Sequence, residues 1–167
     1  MKHKKRNICL GLVFLVLLAF DQVIKYIITQ MMSLGESIPI IDGFFNITRV
    51  HNTGGGWSIL EGQMLFFYVV TVFAFILLWS YLKNLEAWKM ISRIGIVIAL
   101  AGIMGNFIDR LLVQYVVDFL DFTIIGYRFP TFNVADICIV IGIGLVFLEE
   151  ILIWAGVETK WTNNNSK

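Results

Sequence analysis

Charge is scarce in this chain: Asp, Glu, Lys and Arg make up 15% of its 167 residues and nearly cancel, leaving a net +1. No field of one sign remains to gather nucleic acid, so no nucleic-acid partner is expected and the few charges matter by position. Cysteine and histidine occur only twice each. Cys9 and Cys138 lie in apolar runs, where a thiol behaves as a small buried hydrophobe, so neither a disulfide nor redox chemistry is expected. His3 falls in a basic tail and His51 in a loop, each without a partner at metal-ligand spacing, so no metal and no cofactor is expected.

Hydrophobic residues, by contrast, make up 58% of the chain. The mean hydropathy of +0.80 is well above what a soluble domain of this size needs to fill its core. The composition is that of an integral membrane protein. Its length allows one polytopic domain over residues 1–167 and leaves little room for a separate soluble module.

Four apolar stretches are read as spanning helices, at about 8–28, 64–82, 94–108 and 134–153. The first imitates a secretory signal, because Lys2, Lys4, Lys5 and Arg6 precede an apolar run. The imitation ends at Ala19-Phe20-Asp21-Gln22, which is too bulky and charged for a cleavage site, so the span is expected to be retained. The second is uninterrupted by charge. The third is rich in small residues (Gly95, Ala99, Ala101, Gly102, Gly105), which let membrane helices approach closely, and is expected inside the bundle.

Basic residues set the orientation. They collect in the N-terminal tail, at Lys83, Lys89 and Arg93 between spans two and three, and at Lys160 and Lys167 near the end. Both termini are therefore expected in the cytoplasm, with segments 29–63 and 110–133 outside. These outward segments carry strand-like pieces: 38–41 and 44–50 around the turn signal Asp42-Gly43, and 116–125 with 127–129 around Gly126. The expected fold is an all-α membrane protein with a small β-sheet on the outer membrane surface. Trp88, Trp154 and Tyr81 fall towards the cytoplasmic ends of spans, as interfacial aromatics do.

Polar residues stand where they are expensive. A charge at the bilayer centre costs about 2.5–3.5 kcal/mol on insertion scales, so such residues pair or do work. Asp21 and Lys25, four apart, project from one helical face and can neutralise each other. Gly102, Asn106 and Asp109 share a face of the third span, with Gly105 adding a gap that leaves room for a ligand's backbone. Arg110 either snorkels to headgroups while pairing with Asp109 or binds a ligand. Asn133 and Asp136 read equally well as the capped start of a helix. Yet Asp118, between Val117 and Phe119, is a second carboxylate at the same outer level, and two carboxylates at one depth suggest a shared site. Such a pair can hydrolyse an amide: one takes a proton from water while the other donates to the carbonyl oxygen. Asp121 rivals Asp118 for this role. A proton conduit would use the same acids, but its polar residues should then run the full depth of the bilayer, whereas here they gather at the outer half.

The series Gly102-x-x-Gly105-Asn106-x-x-Asp109-Arg110, Val117-Asp118-Phe119 and Phe132-Asn133-x-Ala135-Asp136 resembles the bacterial lipoprotein signal peptidase family. So do Asp21-x-x-x-Lys25 and Asn52-Thr53-Gly54, and the likeness extends over about residues 21–143. The resemblance implies a membrane aspartic endopeptidase whose catalytic pair is Asp118 and Asp136, which decides against Asp121. Asn106 and Arg110 would hold the backbone of substrate or inhibitor. Asp109, Asn133, Ala135, Asn52, Gly54, Asp21 and Lys25 would support the site. The implied substrate is a diacylglyceryl-modified prolipoprotein, cut just before its lipidated cysteine. Membrane lipids are the other expected partners, and the chain is expected to act as a monomer in the bacterial cytoplasmic membrane. Gly55-Gly56-Trp57 stands where similar sequences more often show alanines and phenylalanine, implying a more flexible loop. The tail at 159–167 matches nothing in the family.

Overall fold

A computed structural model describes residues 2–55 and 59–157, with side chains from residue 5 onward. Gly56, Trp57 and the tail containing Lys160 and Lys167 lie outside the described residues. The elements run α1 (Lys2–Met31), β1 (Ser37–Ile41), β2 (Phe45–Asn52), α2 (Met64–Asn84), α3 (Met90–Val113), β3 (Val116–Ile124), β4 (Tyr127–Arg128) and α4 (Val134–Trp154). All four helices are long and apolar enough to cross a membrane.

The third helix is the centre of the bundle. Ile96, Ala99 and Leu100 are sealed from solvent, and α1, α2 and α4 all pack on α3. None of the α2 residues is buried in the protein, so this helix leaves a large apolar surface uncovered. One core cluster joins Leu85, Ile96 and Leu100 to Phe14, Phe75, Leu78, Leu82 and Val146.

The α3–α4 contact is set by glycine. A Cβ on Gly142 would strike the backbone of Gly95 and Ala99, and one on Gly102 would collide with the Ala135 carbonyl. A Cβ on Gly105 would meet the Asp21 carboxylate. This corrects the expectation of ligand room on that face: the space beside Gly102 and Gly105 is filled by α4 and by Asp21, because backbones pack where no side chain intervenes.

The third helix also outruns its expected limits of 94–108 at both ends. Its polar ends are satisfied inside the protein rather than exposed. Glu149 of α4 accepts hydrogen bonds from the Ile91 and Ser92 amides, at 3.3 and 2.8 Å, and so caps the start of α3. The helix stops where Gln114 turns left-handed, its N–H returning to the Arg110 carbonyl.

Both expected hairpins form, and they join into one antiparallel sheet of order β1-β2-β3-β4. Gly43 supplies the positive φ that the β1–β2 turn requires. A bulge between Ile47 and Val50 shifts the β2–β3 register, so that Val50 lies opposite Asp118 and Asn46 opposite Asp121. Arg49 fixes this sheet to the bundle, donating to the carbonyls of Thr29 and Met32 at the end of α1. The sheet, the last turns of α1 and α3 and the first turn of α4 thus meet at one end of the bundle.

Candidate active site

At that meeting point Asn133 touches both Asp118 and Asp136. Asn133 is the N-cap of α4, and its side-chain oxygen accepts from the Asp136 amide at 3.0 Å. The Asp136 carboxylate reciprocates by accepting from the Asn133 amide at 3.1 Å. This is a capping box with aspartate in the place usually taken by glutamate or glutamine. Asn133 Nδ2 then donates to Asp118 Oδ1 at 2.6 Å. Capped helix start and shared carboxylate site, weighed as alternatives from the sequence, are the same arrangement.

The second Asp118 oxygen accepts from Asn52 Nδ2 at 2.8 Å. Asn52 closes β2, and its own oxygen takes the Gly54 amide at 2.9 Å, which turns the side-chain NH2 towards Asp118. Asp118 is 2% exposed. Burial, and secondly the charge of Asp136, push its pKa up from the usual carboxylate range to about 7, against the opposing hydrogen bonds from Asn52 and Asn133.

Behind the carboxylates lies a polar network on three helices. Lys25 uses all three ammonium protons: to Asp21 at 2.9 Å, to Asp109 at 2.9 Å and to Asn106 Oδ1 at 3.0 Å. Asn106 Nδ2 donates to Asp136 Oδ1 at 2.7 Å. Asp21 Oδ1 accepts from the Ala135 amide at 2.9 Å, placing a negative charge at the start of α4. The expected Asp21–Lys25 pair is present, but it is part of a larger cluster. Asp109 also takes the Val117 amide at 3.2 Å, tying α3 to the strand that carries Asp118.

Arg110 does not pair with Asp109, and it is buried rather than snorkelling to headgroups. Its guanidinium lies 4.7 Å from the centre of the Phe67 ring and donates to the Gly54 carbonyl at 3.0 Å, while its Nε is buried without a hydrogen-bond partner. Asp109 is taken by Lys25, so of the two readings of Arg110 the pairing with Asp109 is the one that does not form.

Asp121 stands apart. Three residues along a strand from Asp118, it faces the opposite side of the sheet. There Arg128 holds it in a two-pronged pair at 3.0 and 2.6 Å, and Thr48 donates at 2.7 Å. The Arg128 guanidinium keeps its pKa below the usual carboxylate value. Asp121 braces the sheet.

Asp118, Asp136, Asn52, Asn106 and Arg110 line one cavity of about 310 Å³, closed on its apolar side by Val116, Phe129, Phe132 and Val140. Two supporting residues were missed in the sequence. Gln22 donates to Asp109 at 3.0 Å and to the Gly105 carbonyl at 3.2 Å, and Tyr68 donates to the Arg110 carbonyl at 2.8 Å. The available signal was a lone amide beside Asp21 in an apolar helix, and a phenol within an otherwise apolar span.

Known proteins resemble this chain over most of its length. A family model described as signal peptidase (SPase) II matches residues 13–152. A lipoprotein signal peptidase of Staphylococcus aureus (strain bovine RF122 / ET3-1) is 42% identical over 147 residues, covering 87% of this chain and 90% of that protein. That of strain JH9 is 41% identical over 148 residues, with the same shares covered. A bacterial membrane enzyme structure obtained by the in meso method at 2.3 Å resolution superposes with a TM-score of 0.84 at 38% identity, over 91% of this chain and 93% of that one. A second, at 1.9 Å resolution, gives 0.76 at 39% identity, over 90% and 94%. With four apolar helices and a family match across most of its length, this chain belongs to the signal peptidase II family.

Proposed function

We propose that Asp118 and Asp136 are the acid–base pair with which this multi-pass membrane peptidase removes the signal peptide from prolipoproteins. The observation that carries the reading is the Asn133 bridge, which holds a buried carboxylate with a pKa of about 7 beside a second carboxylate on the same cavity wall.

The pair shares one proton, which Asp118 carries because burial and the charge of Asp136 both favour its neutral form. Asp136 takes a proton from water as the water oxygen bonds to the scissile carbonyl carbon. Asp118 gives its proton to the carbonyl oxygen. The resulting diol collapses: the C–N bond breaks, the leaving nitrogen takes the proton held by Asp136, and a hydroxyl proton returns to Asp118. Each carboxylate ends as it began.

The network fits the task. Asn106 and Asn133 use their NH2 groups on the carboxylates, so both aspartates are held in fixed orientations where they line the cavity. Arg110 lines the cavity, and in this reading its guanidinium engages a peptide carbonyl. Gly102, Gly105 and Ala135 support the site by close packing, and Asp21, Lys25, Asp109, Asn52 and Gly54 by hydrogen bonding.

In the same reading the substrate is diacylglyceryl-modified and is cut before its lipidated cysteine. Its acyl chains stay in the bilayer while the peptide reaches the cavity laterally. The distribution of basic residues supports an orientation with both termini in the cytoplasm and the cavity near the outer face. The single chain contributes every residue of the site, which suits a monomer.

The direct test incubates the purified protein in detergent with a diacylglyceryl-modified prolipoprotein and follows release of the signal peptide. Cleavage by the wild type and none by Asp118→Asn or Asp136→Asn is the expected result. Release of an intact signal peptide by both variants would remove the proposed pair.

A further inference from the structure

The end of the bundle away from Asp118 holds a second and larger cavity, of about 600 Å³, between α1, α2 and α3. This lies within the roughly 300–1,000 Å³ range of small-molecule sites. Most of its wall is apolar, with Leu10, Phe14, Phe75, Val97 and Leu100 among the lining residues. Its polar side chains are Asn7, Lys83 and Arg93, and none of the described residues lining it is acidic.

The charges are not neutralised within the protein. Among the described residues neither Lys83 nor Arg93 takes part in an ion pair; Glu150 is held by Lys89, and Glu149 is taken up in capping α3. Lys83 lies 5.3 Å from the centre of the Trp79 ring. Arg93 spends one guanidinium N–H on the Leu85 carbonyl at 2.8 Å, and its Nε is buried without a partner. An apolar slot lined at one end by two cations is complementary to an amphiphile with an anionic head.

We propose that this cavity is a binding site for one anionic phospholipid of the surrounding bilayer, its phosphate at Lys83 and Arg93 and an acyl chain along the apolar wall. Basic pockets between membrane helices are recurrent sites for anionic headgroups. A substrate signal segment is a poorer occupant, since the charged end of such a segment is itself basic and meets Lys83 and Arg93 with like charge. The site is independent of the peptidase chemistry, which lies at the other end of the helices.

Gly11 offers a test from the apolar side. It lines the cavity, and a Cβ there would touch nothing within 4 Å, so Gly11→Leu starts from open space and is expected to extend into the slot. Full-length protein in detergent is titrated with phosphatidylglycerol or with phosphatidylcholine of the same acyl chains, and lipid adducts are measured by native mass spectrometry. Phosphatidylglycerol is expected to bind more tightly, with Lys83→Gln and Arg93→Gln each weakening it about fivefold and the double variant roughly 25-fold. Gly11→Leu is expected to lower the occupancy of both lipids. Millimolar inorganic phosphate should not displace the lipid, since the apolar wall gives it no hold. Equal binding of the two lipids, unchanged binding by Lys83→Gln, or displacement of the lipid by a signal-peptide helix rather than by other anionic lipid would each overturn the assignment. Among the described residues the Lys83 side chain makes no hydrogen bond to the backbone, and it lies on the outward-facing α2, so Lys83→Gln keeps the test valid where Arg93→Gln fails to fold.

Discussion

The ammonium of Lys25 lies 3.0 Å from Asn106 Oδ1, so a lysine on the first helix decides which way an amide on the third helix faces. Asn106 Oδ1 also accepts from Asn133 Nδ2 at 3.1 Å. With its oxygen committed twice, Asn106 can only present its NH2 group to Asp136. The lysine therefore acts on a carboxylate that it does not touch.

Removing Lys25 should accordingly do two separable kinds of damage. Lys25→Met strands the Asp21 and Asp109 carboxylates in the protein interior, and breaking a buried ion pair from one side costs about 3–5 kcal/mol. The double change Asp21→Asn with Lys25→Met relieves only one of the two acids, so it should recover part of the folded yield and not all of it. In the fraction that folds, Asn106 is free to flip, and turnover should remain depressed while substrate binding is kept. Full recovery of both yield and turnover in the double variant would show that Asp109 and Asn106 are not coupled to Lys25.

The Gly102 contact makes a packing prediction. The Ala135 carbonyl occupies the place of a Gly102 side chain, and Ala135 is adjacent to Asp136. Gly102→Ala must push α4 outward, at a cost of about 1–3 kcal/mol, and must shift Asp136 relative to Asp118. Thermal unfolding in detergent should show a lower Tm, with cleavage reduced by more than the loss of folded protein explains. Gly144, whose Cβ would meet nothing, is the matched control: Gly144→Ala should leave both measurements unchanged.

These two cases show what the sequence carried and what it withheld. Lys25 and Asp21 could be paired from their spacing because one helix fixes the geometry between positions four apart. The partners that complete the cluster, Asp109 and Asn106, sit on another helix, and no periodicity reports the rotation of one helix against another. Gly102 could be read as a place for close approach, but a stripe of small residues looks the same whether a ligand or a neighbouring backbone fills it. Spans and hairpins were legible because apolar runs and the Asp42-Gly43 turn are local signals. Spacing left Arg110 open between a pair with Asp109 and a ligand-binding role, because its neighbours, Gly54 and Phe67, come from a loop and a helix that only the folded chain brings beside it.

Asp121 provides the contrast that isolates catalysis from charge. It is fully buried, yet it lies on the far face of the sheet from Asp118, and its pKa is held low by Arg128. Its contribution to stability is present above the ordinary carboxylate pKa of 3.8 and is lost as pH falls through the lower folded value. Asp121→Asn should lower the Tm at pH 7, and the difference from the wild type should narrow on acidification. Turnover per folded molecule should persist, and a collapse of turnover at unchanged Tm would return Asp121 to the catalytic candidates.

In the proposed mechanism Asp118 is the acid, so the pH dependence of cleavage should follow it: its pKa of about 7 means that its proton is present below neutrality and is lost as pH rises through that value. The rate should therefore fall on the alkaline side, approaching tenfold per pH unit above about 7. The same proton bears on folding. A raised folded pKa means that the native state retains a proton which the unfolded chain has released, so the stabilisation is full below 3.8 and gone above about 7. Asn keeps the shape of the side chain and loses its acid–base capacity. Asp118→Asn and Asp136→Asn should each lower turnover roughly ten-thousandfold or more while leaving membrane insertion and substrate binding in place. The double variant should be no worse than either single one, because general acid and general base fail together. Asp118→Asn should in addition flatten the decline of Tm between pH 4 and pH 7, an effect that Asp136→Asn can share only through its coupling to Asp118. Chelators should leave the wild-type rate unchanged, since two carboxylates and a water supply the whole proton traffic. An alkaline limb that survives in a partly active Asp118 variant would mean that another group gives the proton to the carbonyl oxygen.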